Sequence, residues 1–80
     1  MNFKADPEKI TTGELLDAEG DVRAMNALMS RFVVDPAGNP IPQDEAIKML
    51  RALTFFENAK AQQDFLASLF RENGKLMHWN

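Results

Sequence analysis

Residues 43–72, which read QDEAIKMLRALTFFENAKAQQDFLASLFRE, settle whether the chain forms three helices or four. Apolar residues recur there at intervals of three and four, the period of an amphipathic helix. Thr54-Phe55-Phe56-Glu57 interrupts the run with a capping-box pattern, in which a threonine oxygen and a glutamate carboxylate satisfy backbone N–H groups at a helix start. The pattern favours a helix end before Thr54 and a new helix after it. One continuous helix over 43–72 is the alternative.

Two shorter helices are predicted upstream of this region. Thr11-Thr12-Gly13-Glu14 is another capping-box pattern, and Gly20 is suited to end the helix that it starts. Asp21 can cap the next helix, which is predicted to run to about Arg31 or Phe32 with its apolar residues on one face.

Residues 33–42, which read VVDPAGNPIP, predict a reversal of the chain. Proline fixes φ and glycine allows a positive φ, which is typical of a Pro/Gly turn or a minimal β-hairpin. Pro40 and Pro42 cannot donate ladder hydrogen bonds, so a hairpin here cannot extend into a sheet. The predicted fold is all-α, a small bundle of three to four short helices with this turn in the middle.

The ends of the chain are predicted to be less regular. Residues 1–9 indicate an extended, polar lead-in, because Pro7 disfavours helix before it, and Phe3 is its one apolar anchor. A single helical domain is expected over residues 10–74, since Asn73-Gly74 is a strong helix stop. Residues 75–80 are expected to form a flexible apolar tail.

Composition narrows the classes of function. A hydrophobic fraction of 45% and a charged fraction of 26% are typical of a globular domain. The net charge is −3 and the basic residues are scattered singly, so nucleic acid is not an expected partner. The absence of cysteine suits a reducing cytoplasm, and no signal-peptide core or bilayer-spanning apolar run is found. A cytoplasmic protein is therefore expected.

Catalytic and metal-binding residues are scarce. Cysteine and tyrosine are missing, and the single histidine, His78, stands near the end of the chain. Asp17, Glu19 and Asp21 alternate like the first ligands of a calcium loop, but the bend glycine and the twelfth-position glutamate of that loop are replaced by Val22 and Leu28. No enzymatic activity, metal or cofactor is expected.

The aromatic residues of the last predicted helix allow two interpretations. Phe55 and Phe56 point about 100° apart, and Phe65 and Leu66 repeat the pattern, so a thin bundle buries both members of a pair with difficulty. Either these side chains complete a small core, or one helix face is left for a partner. Trp79 in the tail is open to the same choice. The candidate partner-binding residues are Phe55, Phe56, Phe65, Leu66, Leu69, Phe70 and Trp79.

The stretch ITTGELLDAE, residues 10–19, resembles the opening of the small tail assembly chaperones of long-tailed phages, which start with a threonine-glycine-acid-leucine pattern and a short acidic helix. Residues 35–42, the acidic helix start that follows and the Leu53-Thr54 step are similar to the small helical proteins of phage tail operons. The similarity covers roughly residues 10–70. It implies a protein that coats the apolar, helical tape-measure protein in several copies, without ATP, before the tail tube polymerises.

The predicted function is therefore that of a non-enzymatic protein-binding module, most specifically a tail assembly chaperone that covers apolar helical surface of a tape-measure protein in the host cytoplasm. A homo-oligomer is also possible on this interpretation. Two alternatives remain: a small phage-encoded inhibitor that binds a host protein, and a structural subunit of a larger assembly.

Overall fold

The computed structural model describes residues 1–72, of which Arg71 and Glu72 are described through their backbone alone. Within this range the prediction of a small helical fold with a minimal β element is confirmed. Along the chain lie β1 (Asn2–Phe3), a 3-10 helix (Pro7–Lys9), α1 (Thr12–Ala18), α2 (Val22–Ser30), β2 (Val33–Val34), α3 (Gln43–Ala52) and α4 (Phe55–Glu72).

The first two helices begin where the capping patterns predict. Before α1, the Thr11 hydroxyl accepts from the Glu14 N–H at 3.1 Å, and the Glu14 carboxylate accepts from the Thr11 N–H at 3.0 Å. Asp21 caps α2 by accepting from the Ala24 N–H at 3.1 Å. Between the helices Gly20 takes a positive φ of 77°, which a glycine adopts without strain.

The predicted reversal at 33–42 is a minimal hairpin. One Asp35 carboxylate oxygen accepts from the N–H groups of Ala37 and Asn39, each at 2.9 Å, and Gly38 has a φ of 89°. Val34 and Pro40 form a single antiparallel bridge. The pairing stops there, as expected for a strand that contains proline.

The lead-in is more than an extended polar segment. Phe3 pairs with Val33 in an antiparallel β1–β2 ladder. The Ser68 hydroxyl of α4 donates to the Phe3 carbonyl at 3.1 Å and accepts from the Ala5 N–H at 3.3 Å. The polar composition of residues 1–9 concealed this role, because β1 is fixed through its backbone and one aromatic ring.

The core lies where α4 crosses α2 and β1. Phe65 is fully enclosed, with its ring centroid 5.6 Å from that of Phe3 and 6.0 Å from that of Phe32. A polar bridge runs beside it: the Asn58 side-chain N–H donates to the Asn26 side-chain oxygen at 2.9 Å, and both residues are buried. The other enclosed apolar side chains are Ala5, Ala18, Met25, Leu28, Met29, Val33, Ala46, Leu50, Ala61 and Leu69.

Candidate protein-binding surface

The junction between α3 and α4 is a tight corner. Leu53 ends α3 in an extended conformation, with φ −71° and ψ 148°. Thr54 then starts α4: its hydroxyl accepts from the Glu57 N–H at 3.1 Å, and the Glu57 carboxylate accepts from the Thr54 N–H at 2.9 Å. The predicted helix break is confirmed, and the capping box explains it because each residue satisfies a backbone N–H of the other.

Phe55 and Phe56 are the first two residues of α4, and their side chains project from this corner. Their exposed fractions are 83% and 80%, the highest of the large hydrophobic residues in the part of the chain that the structure describes. Water therefore surrounds two adjacent aromatic rings whose backbone is held by a capped helix end. Exposed apolar area of this kind marks interaction sites more often than an isolated surface leucine does.

Phe55 and Phe56 belong to a longer uncharged sector of the α4 helix. At 100° per residue, the outward side chains of residues 55–70 divide into two groups. The charged residues Glu57, Lys60 and Asp64 lie together on one side. The remaining sector spans roughly 140° and is free of charge over residues 55–70. We call it the α4 surface; it comprises Phe55, Phe56, Ala59, Gln62, Gln63, Leu66, Ala67 and Phe70.

The structure corrects two of the candidate partner-binding residues. Phe65 is 0% exposed and Leu69 is 6% exposed, so both belong to the core and are withdrawn from the candidate surface. They occupy the face of α4 that α2 and β1 cover. The covering by β1 could not be foreseen from the local helical period, since β1 lies more than 60 residues away in the sequence.

The other candidates are divided between the α4 surface and the undescribed end of the chain. Phe55, Phe56 and Phe70 are exposed, and Leu66 is half-buried along the same sector. Trp79 lies outside the described residues. The structure adds Ala59, Gln62, Gln63 and Ala67, which an analysis centred on aromatic residues missed. The signal that could have identified them is the confinement of charge to positions 57, 60 and 64.

A shallow groove of about 520 Å³ adjoins the α4 surface at Phe56. Its lining is both apolar, from Met1, Leu53, Phe56 and Ala61, and charged, from Glu57, Lys60 and Asp64. Within the described residues, no group of three or more His, Cys, Asp or Glu side chains lies close enough together to hold a metal ion.

The two glutamates of the capping boxes, Glu57 and Glu14, have lowered pKa values. The pKa of Glu57 lies below its ordinary value, chiefly because its carboxylate accepts the Thr54 backbone N–H, with a further contribution from the Thr54 side chain. The pKa of Glu14 is lowered in the same way by the Thr11 backbone N–H, and partial desolvation opposes the shift. Arg31 lowers it further through an ion pair at 2.7 Å. The Glu57 carboxylate thus stabilises the start of α4, and the Glu14 carboxylate stabilises the start of α1.

We expect the Glu57→Gln substitution to remove a pH-dependent part of the stability of the α4 cap. A carboxyl whose folded pKa is lowered stabilises the fold above its unfolded pKa of about 4.3, and this stabilisation is lost as the pH falls through the lower folded value. Glutamine keeps an acceptor oxygen for the Thr54 N–H but does not titrate. The wild type should therefore lose its advantage over the variant on acidification.

The measurement is urea unfolding of both proteins from about pH 6 to about pH 3. Other carboxylates titrate in both proteins, so the difference between the two curves isolates Glu57. Gln63→Glu, an exposed change on the same helix, is the control for altered charge alone. If the difference in unfolding free energy between wild type and Glu57→Gln stayed constant over this pH range, the role assigned to the Glu57 cap would be contradicted.

Among residues 1–72, no helix combines the length and the apolarity that crossing a bilayer requires. Comparison of the chain with protein-family models, with curated proteins and with solved structures gives no match.

Proposed function

We propose that this chain is a non-enzymatic protein-binding module, and that its α4 surface holds an apolar helical segment of a partner protein. One observation carries the proposal: Phe55 and Phe56 stand 83% and 80% exposed at a capped helix start. Aromatic side chains in this position offer a large apolar area to a partner. The capping box holds their backbone in place, so binding costs less conformational entropy than it would on a flexible loop.

The shape of the α4 surface favours a helix as the bound element. It follows a helix of 18 residues, which is about 27 Å long, as a stripe one or two side chains wide. Phe55, Phe56, Leu66 and Phe70 are its large apolar side chains, and Phe55, Leu66 and Phe70 lie within about 60° of one another around the helix. An amphipathic partner helix could lay its own apolar face along such a stripe. The absence of charge over residues 55–70 of the stripe also suits the centre of an interface.

The specific function that we propose is that of a phage tail assembly chaperone, acting in the host cytoplasm on an apolar tape-measure protein. This step rests on the resemblance of residues 10–19 to such chaperones, and the α4 surface supplies a physical rationale. A stripe on a single short helix makes a modest contact. Many copies along a long helical client would then hold it by the sum of weak contacts, each of which is releasable.

The test is capture of the client from the native host with quantitative mass spectrometry, using three baits. Wild type and Leu16→Ala are expected to retain the same long helical protein, encoded beside this chain. The Phe55→Ala/Phe56→Ala bait is expected to retain it at least about tenfold less, a loss of about 1.4 kcal/mol in binding free energy. Leu16 is the matched control, because it is also an exposed apolar residue, at 61%, but lies on α1.

Equal retention by all three baits would contradict the assignment of binding to the α4 surface. The alternatives predict other outcomes. An inhibitor would form a one-to-one complex with a host protein, and a structural subunit would be present in purified particles, from which a chaperone is absent. Alanine substitution of Phe55 and Phe56 should leave the unfolding free energy nearly unchanged, because both rings are in water already.

A further inference from the structure

Six of the eight residues of the α4 surface are placed symmetrically about its midpoint. Phe55 and Phe70 are equally distant from the point midway between Gln62 and Gln63, and so are Ala59 and Leu66. Along the helix these six residues read phenylalanine, alanine, two glutamines, leucine, phenylalanine. Phe56 and Ala67 stand outside the pattern, because their counterparts Leu69 and Asn58 are buried. A surface with this symmetry can match itself when one copy is turned end to end.

We propose that a second copy of this chain occupies the α4 surface, in an antiparallel pair related by a two-fold axis near Gln62 and Gln63. A two-fold interface uses the same patch on both subunits, so the patch must be complementary to itself. In the antiparallel arrangement, Phe55 of each copy lies against Phe70 of the other, and Ala59 lies against Leu66. The pair stands on this symmetry and on the charge pattern of α4, and it does not depend on the proposed function.

The packing of the pair is favourable at each position. A small Ala59 opposite a larger Leu66 lets side chains interdigitate, as close helix packing requires. At the axis, Gln62 donates a side-chain N–H to Asn58 at 2.9 Å. In the pair, the side-chain carbonyl oxygen of Gln62 accepts a hydrogen bond from Gln63 of the second copy. Polar residues at one level of an otherwise apolar helix pair fix its register.

The electrostatics of α4 also suit a second copy. Over residues 55–70, Glu57, Lys60 and Asp64 lie on the side of α4 next to the α4 surface, outside the stripe of Phe55, Leu66 and Phe70. A pair centred on that stripe therefore leaves these three charges in water. A pair centred on the charged side would instead bring Glu57 of one copy towards Asp64 of the other, and such like charges cost free energy.

The contact is expected to be weak. Residues 55–70 extend over about 22 Å of helix. A single pair of helices of this length buries less than the roughly 1,200 Å² at the lower end of stable interfaces. The pair should therefore dissociate at micromolar concentrations and yield to any partner that covers more of the α4 surface. Self-pairing then keeps Phe55 and Phe70 out of water until such a partner is present.

Sedimentation velocity and cysteine cross-linking test the pair on the full chain. The average mass of the wild type should rise from 9.0 kDa towards twice that value between about 5 µM and about 500 µM. Because the sequence has no cysteine, single cysteine variants report proximity directly. Gln63→Cys should form a disulfide dimer on oxidation, because the two-fold axis brings its two copies within reach of a disulfide. Asp64→Cys, at nearly the same height but on the charged side, should not.

The direction of the pair is tested with variants at its two ends. Phe55→Cys and Phe70→Cys should each stay monomeric on oxidation, since their own copies are about 22 Å apart in an antiparallel pair. An equal mixture of the two should give the mixed dimer. Thermal unfolding of each reduced variant checks that it is folded. If Phe70→Cys does not fold, Gln63→Cys still tests the pair, because Gln63 is exposed and its replacement leaves the core intact.

Two results would overturn the pair. One is a wild type that stays monomeric up to about 500 µM. The other is cross-linking through Phe55→Cys alone, or through Asp64→Cys, as efficient as through Gln63→Cys. These results are distinct from failure of the proposed function. A monomeric chain that still captures its client contradicts the pair only, whereas a dimer that captures no client contradicts the proposed function only.

Discussion

Replacing Phe65 by alanine is expected to lower the free energy of unfolding by about 3–5 kcal/mol, the range measured when a buried phenylalanine is truncated. Phe65 is 0% exposed, and its ring packs against those of Phe3 and Phe32. The substitution therefore removes contacts that join α4 to β1 and to the segment that follows α2. Domains have a total stability of about 5–15 kcal/mol, and one of 80 residues lies near the lower end. Much of the variant population should be unfolded at 37 °C.

The matched control is Phe56→Ala, the same chemical change on the same helix. Phe56 is 80% exposed, so its truncation should change the unfolding free energy by less than about 0.5 kcal/mol. Urea unfolding followed by far-ultraviolet circular dichroism measures both variants. If Phe65→Ala lowered the midpoint no more than Phe56→Ala, the placement of Phe65 in the core would be wrong.

The contrast between these two phenylalanines shows where sequence-based reasoning succeeds. The starts of α1 and α4 were predicted correctly because a capping box is local. Thr54 and Glu57 stand three residues apart and complete each other's hydrogen bonds, whatever the rest of the chain does. The same holds for Thr11 and Glu14. The Asp35 turn is equally local, since its carboxylate binds N–H groups within four residues.

Burial could not be predicted in the same way. Phe56 and Phe65 are nine residues apart, which places them on opposite faces of α4, and the helical period does not say which of these faces the rest of the chain covers. β1 covers Phe65, and it reaches α4 through contacts such as Ser68 to Phe3, which are 65 residues apart in the sequence. Phe3, the apolar anchor of residues 1–9, indicates that this segment can pack onto the body of the protein, but it does not indicate which helix face the segment covers. Long-range docking therefore determined which aromatic residues were left for the α4 surface.

The α4 surface itself was partly visible in the sequence. Its exposed rings at Phe55, Phe56 and Phe70 were among the predicted partner-binding residues, and the structure places them in water. The glutamines and alanines between them carry no individual signal. They become informative only when the charged positions 57, 60 and 64 are plotted on a helix and fall on one side. Charge placement thus complements the apolar period as evidence for an interface.

Asn58→Asp is expected to cost about 3 kcal/mol of unfolding free energy near pH 7, because it buries an ionised group without adequate partners. Asn58 is 6% exposed, and its side-chain N–H donates to the Asn26 oxygen at 2.9 Å. A carboxylate has no hydrogen to donate, so it would face that oxygen at hydrogen-bonding distance. The Gln62 N–H, which now donates to Asn58, compensates only in part.

The pH dependence of this variant should have the opposite sign to that of the Glu57 cap. Burial raises the pKa of the introduced carboxyl above its unfolded value, so the folded state favours the protonated form. Protonation also restores a donor for the Asn26 oxygen. The variant should therefore recover stability relative to the wild type as the pH falls, and lose it as the pH rises through the raised pKa.

Urea unfolding at about pH 7 and about pH 4.5 measures this difference. Gln63→Glu is the control, because it adds a carboxylate to the exposed side of the same helix, where no buried oxygen faces it. Its effect on stability should be small at both pH values. A penalty for Asn58→Asp that is small, or equal at the two pH values, would mean that Asn26 and Asn58 do not meet inside the fold. The orientation of α4, which leaves the α4 surface exposed, would then depend on the apolar contacts of Phe65 and not on the hydrogen bond between Asn26 and Asn58.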